Sequence, residues 1–118
     1  MKFKIITILL LFILISCSIQ KDAHVLIEKI NKGKNTQGHY YEEVFLVNDG
    51  EQPAYFVILI GKAYKNGNEL QRIEKGYGDI WPQESKSYTL TYNNLGFSEP
   101  DSITYQITYS QGNINPVK

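Results

Sequence analysis

Between Ser87 and Tyr109 the chain alternates with a period of two. Tyr88, Leu90 and Tyr92 fall on one side with Thr89 and Thr91 on the other, and Ile103, Tyr105, Ile107 and Tyr109 repeat the scheme against Thr104, Gln106 and Thr108. Successive side chains of a β-strand point to opposite faces, so this period requires strands with one buried and one wetted face. The expectation is that tyrosines and aliphatics point inward while threonines meet solvent.

The punctuation agrees. Asn48-Asp49-Gly50, Lys65-Asn66-Gly67-Asn68 and Asn93-Asn94-Leu95-Gly96 are turn formers that supply positive φ angles, and each separates stretches rich in Val, Ile, Tyr, Phe and Thr. Strands are predicted at about 24–30, 40–48, 54–64, 69–74, 87–92 and 103–109. Helical periodicity is nearly absent and no repeat or low-complexity tract divides residues 24–118, so the predicted fold is all-β, a single small β-sandwich of about six to seven strands. The chain has 118 residues with Cys17 as its one cysteine, which rules out an internal disulfide. The core must therefore hold by packing alone, which a domain of about 100 residues can do.

The N-terminus reads as an address. Lys2 and Lys4 precede an apolar run from Ile5 to Ile15, broken only by Thr7, and small polar residues follow. This is the layout of a secretory signal, and the run is too short for the roughly 20 apolar residues a spanning helix needs. Leu14-Ile15-Ser16-Cys17 resembles the lipobox of bacterial lipoproteins, in which a cysteine receives diacylglycerol before cleavage. The resemblance implies a signal peptide over 1–16, a lipidated Cys17, a short tether over 17–23 and the sandwich over 24–118. It also implies attachment to the bacterial membrane, the outer one if the host has two, because Ser18 stands where an aspartate would favour inner-membrane retention. Lys2 and Lys4 leave with the signal, so ten basic residues face twelve acidic ones, a net of −2. Nucleic-acid binding draws on clustered cations and is not expected.

Residues 40–92 carry a second resemblance. Val44 to Asn48, Pro53-Ala54 with Val57 and Leu59, Ala63-Tyr64-Lys65-Asn66-Gly67, and Gly78-Asp79-Ile80-Trp81-Pro82-Gln83-Glu84-Ser85 resemble FxLYD-type and related immunoglobulin-like modules. Those modules have a valine-x-asparagine strand end, a strand closing in tyrosine-aspartate and glycine, and a proline-glycine-glutamate-serine turn. Lys65 replaces the usual aspartate here, and Gln83 the usual glycine. The resemblance implies an immunoglobulin-like sandwich acting as a binding or spacer domain, and fold analogy of this kind assigns no activity.

Little in the chain suggests chemistry. His24 and His39, the two histidines, are expected to be exposed and unpaired, and neither zinc nor calcium-loop spacing is present. Glu42 and Glu43 are adjacent, so a strand sends them to opposite faces and they cannot flank one bond. Asp49 and Glu51 suggest a weak calcium site or simply a turn. Gly76-Tyr77-Gly78 lacks a following helix and reads as a loop. No enzyme activity, metal or cofactor is expected.

Two features suggest contact instead. Ala54 to Ile60 is a run of seven apolar residues where a half-buried strand should alternate; with Val57 and Leu59 assigned inward by the resemblance, Phe56, Ile58 and Ile60 project outward beside Phe45 or Val47. Such a stripe is either a contact surface or covered by a segment such as 31–38 or 113–118, unless the parity is reversed. Tyr77 and Trp81 form an aromatic pair before Pro82 that either anchors a partner or plugs the sandwich end. The reading is a membrane-anchored, non-enzymatic interaction or scaffold module whose partner is another envelope protein. The alternative is a carbohydrate- or peptidoglycan-binding lipoprotein using Tyr77 and Trp81.

Overall fold

A computed structural model describes residues 21–111. The expected signal peptide at 1–16, the lipidation position Cys17 and the segment 112–118 lie outside the described residues. Six strands follow in order: β1 Val25–Lys34, β2 Tyr40–Asn48, β3 Ala54–Lys65, β4 Asn68–Ile80, β5 Ser85–Tyr92 and β6 Ser102–Gln111, with one 3-10 turn at Asn93–Leu95. They form two antiparallel three-stranded sheets, β1-β2-β5 and β4-β3-β6, so the chain is the small all-β sandwich that its alternation requires.

β2 shows why. Tyr40, Glu42, Val44, Leu46 and Asn48 are buried, while the residues between them are half-exposed. Across the sandwich Ala54, Val57, Leu59 and Ala63 of β3 close the core with Ile80, Leu90 and Tyr92. Each large aliphatic side chain so buried contributes about 1.5–3 kcal/mol. The inward rows of the late strands are as expected, with one correction. Tyr88 faces the core side of an edge strand but stays 40% exposed, its ring edge-on to Tyr77 at 4.8 Å and capped by Lys75 Nζ.

Two strands run four or more residues past their predicted ends. β1 continues to Lys34, paired with Tyr40, and β4 continues to Ile80. Gly76-Tyr77-Gly78 is therefore strand, not loop. Gly76 pairs with Ile58 and Gly78 with Val57, and Gly78 takes a positive φ where the register with β3 slips.

Polar groups inside the sandwich are satisfied. Glu42 accepts hydrogen bonds from Tyr40 at 2.5 Å and from Tyr105 at 2.6 Å, and Tyr92 donates to the Tyr105 hydroxyl at 3.2 Å. This cluster ties β2 of one sheet to β6 of the other. Gly61 makes room for it, because a Cβ there would sit 2.3 Å from the Tyr92 hydroxyl. Burial pushes the Tyr92 phenol up to about 12 and raises Tyr40 and Tyr105 further, with the Glu42 carboxylate adding to the rise.

Candidate functional site

Because every strand reverses the chain, the start of β1, the β2–β3 turn, the β4–β5 turn and the end of β6 gather at one end of the sandwich. Asn48 holds that end together. Its Oδ1 accepts from the backbone N–H of His24 and Gly50, and its Nδ2 donates to the carbonyls of Gln52 and Ile80. Lys21 to Ala23, within the expected tether, are docked on this end of the domain. Lys21 N–H donates to Glu51 Oε1 at 2.5 Å, Glu51 N–H returns to the Lys21 carbonyl, and Ala23 is held by Gln111 and Tyr109. Gly50 lies so close beneath them that a Cβ would sit 1.9 Å from the Asp22 carbonyl.

The aromatic display is at this end. β3 bulges between Ala54 and Val57, which lets both of those residues face the core and expels Phe56. Phe56 has φ +55, a left-handed conformation costly for a bulky side chain, and its ring is 75% exposed. Its N–H is held by Asp79 Oδ1. Nearby, Trp81 to Glu84 form a turn closed by Glu84 N–H to the Trp81 carbonyl, with Pro82 second and Gln83 third at φ +68. That is a type II turn, whose third position favours glycine, the residue the immunoglobulin-like resemblance expects at 83. Glu84 Oε1 accepts from the Trp81 N–H, leaving the indole 52% exposed and edge-on to Tyr55 at 6.0 Å.

Tyr77 does not join Trp81. It is 2% exposed inside the sandwich, its hydroxyl donating to the Val44 carbonyl at 2.7 Å, and burial pushes its phenol up to about 12. As a binding surface Tyr77 is corrected: a strand residue facing inward cannot stack on a ligand. Tyr55 takes its place beside Trp81.

Ile58 and Ile60 lie on the outer face of β3 and are half-buried, while Val57 and Leu59 fill the core. Their neighbours across the sheet are Gly76 and Thr108 for Ile58, and Glu74 and Gln106 for Ile60. Phe45 and Val47 are not beside them, since both lie on β2, in the opposite sheet. Residues 31–34 also belong to that sheet, paired with Tyr40 to Glu43. The tail at 113–118 is outside the described residues.

Neither histidine is unpaired. His24 Nδ1 is 2.6 Å from Asp49 Oδ1, and His39 stacks on Phe97 at 5.8 Å. Phe97, 71% exposed at the opposite end, is an aromatic that sequence reading passed over. Asp49 is engaged by His24 and Glu51 by Lys21, and among the described residues no group of three His, Cys, Asp or Glu is placed to hold a metal ion. Glu42 and Glu43 do face opposite ways, the first buried and the second toward Ser87. No protein-family model, curated protein or solved structure matches the chain.

Proposed function

We propose that the chain is a lipid-anchored module of the bacterial envelope that works by contact rather than catalysis. Acylated Cys17 holds it at a membrane, and the outer face of the β4-β3-β6 sheet meets another envelope protein there. The observation that carries this reading is the position of Ile58 and Ile60. On the face of β3 turned away from the core, two half-buried isoleucines stand side by side, with Gly76 and Glu74 of β4 and Thr108 and Gln106 of β6 as their neighbours, an apolar pair in an otherwise non-apolar setting. Tethering raises the local concentration of a partner in the same membrane, so a modest apolar patch suffices for capture.

A photo-crosslinking residue placed at 58, compared with one at Thr89 on the opposite sheet, tests the surface in intact cells. A discrete adduct from position 58 alone is expected. Adducts of equal yield from both positions, or from Thr89 alone, contradict it. Ile58→Lys should remove the adduct made from a crosslinker at Ile60 while leaving thermal unfolding within about 0.5 kcal/mol of the parent, as for other changes away from a core.

A further inference from the structure

The end of the sandwich that receives the N-terminal chain also bears two exposed aromatic rings. Phe56 is pushed out by the β3 bulge, Trp81 crowns the β4–β5 turn, and Tyr55 packs edge-on to the indole. Ala54, two residues before Phe56, pairs with both Ile80 and Gln111, and Gln111 in turn binds Ala23, so rings and N-terminal segment share one rim. Lys21 is already clamped to Glu51, and only Ser18, Ile19 and Gln20 separate it from Cys17. Fully extended, that link spans on the order of 14 Å.

We propose that the Phe56–Trp81 end rests on the lipid bilayer, with both rings at the boundary between headgroups and acyl chains of the membrane that holds Cys17. The inference rests on the reading that Cys17 is acylated. A link that short leaves the rim facing the headgroups, and an amphipathic indole at that level has its apolar body buried and its N–H wet. The strained backbone at Phe56 is consistent with a ring whose burial is completed by something outside the domain.

Charge favours an apolar contact over an electrostatic one. Glu51, Asp79 and Glu84 are turned back on the backbone N–H groups of Lys21, Phe56 and Trp81, and Asp49 is paired with His24. Among the described residues this rim carries Lys21 and Lys86 against Asp22, Asp49, Glu51, Asp79 and Glu84, so anionic lipid should not strengthen docking. Lys86 is itself committed to the Asp79 carbonyl.

Trp81 is the chain's one tryptophan and therefore its own reporter. The full acylated chain, with acylation verified by fatty-acid labelling, is reconstituted into phosphatidylcholine vesicles with and without bromine on the acyl chains. Expected are a blue-shifted Trp81 emission, quenching by the brominated chains, at least a twofold fall in that quenching in Phe56→Ser, and no change in Phe97→Ser at the far end. Circular dichroism melting verifies that both variants are folded. An acylated, vesicle-bound chain whose Trp81 emits as in water and is quenched by aqueous iodide overturns the inference while leaving lipid anchoring intact. Emission that shifts on adding peptidoglycan fragments but not on adding lipid overturns it in favour of sugar stacking. Absence of the fatty acid label defeats both the anchoring reading and the docking built on it.

Discussion

Asn48 joins the incoming chain, the β2–β3 turn and the end of β4 through four side-chain hydrogen bonds while fully buried. Asn48→Asp keeps the acceptor but removes both donors and places a carboxyl opposite two carbonyls. A buried acceptor left unsatisfied costs about 1–3 kcal/mol, so a loss of at least about 3 kcal/mol in urea unfolding is expected, and a loss under about 1 kcal/mol would show that the junction rests on other contacts. Two residues should respond in the opposite sense. Phe56 and Gln83 hold positive φ without being glycine. Relieving a left-handed conformation recovers on the order of 1 kcal/mol, partly offset by the greater freedom of an unfolded glycine. Phe56→Gly and Gln83→Gly should therefore leave stability unchanged or slightly raised; marked destabilisation by Phe56→Gly would mean that the ring is held by packing.

Strands were legible where pattern and pairing coincide. The alternation of β5 and β6 and the Asn66-Gly67 turn, both residues at positive φ, follow from local chemistry. β3 was legible in extent but not in its bulge. Ala54 and Val57 both face inward only because Tyr55 and Phe56 occupy the extra position, and that requires the irregular pairing with Ile80 and Gly78, which no local pattern encodes. The unbroken apolar run from Ala54 to Ile60 was the visible trace of it. Tyr77 was misread for a related reason. Glycine on either side reads as a loop, whereas here the two glycines let an edge strand follow the slipped register of β3. Beyond the Tyr40–Glu42 pair on one face of β2, the Glu42 cluster had no local signature, since Tyr105 reaches it from β6 and Tyr92 joins through Tyr105 from β5. Gly61 is the element-level control on that cluster. Gly61→Ala should destabilise by about 1–3 kcal/mol, as overpacking does, and a smaller effect would show that the two sheets can part by the width of a methyl group.

Across the whole molecule, four tyrosines keep their protons longer in the fold than in the unfolded chain. Tyr77 and Tyr92 hold them to about 12, with Tyr40 and Tyr105 raised further, and burial is the first cause in each case. An unfolded tyrosine ionises near about pH 10. Native-state pKa values raised in this way contribute stability that is fully present below about pH 10 and is lost as pH climbs through the folded values. Urea unfolding should thus be insensitive to these groups at neutral pH and weaken steadily above about pH 10, with the tyrosinate absorbance of the folded protein lagging that of the unfolded. Coincident titration of folded and unfolded protein would contradict the buried cluster.

The reading of role depends on where the domain is held, since Ile58, Ile60, Phe56 and Trp81 acquire their proposed contacts only beside a membrane. The mass of the N-terminal peptide, taken from protein extracted from the membrane fraction, tests this most directly. It should begin at Cys17 and carry a diacylglyceryl thioether. A mature chain beginning elsewhere, or an unmodified Cys17 thiol, would contradict it.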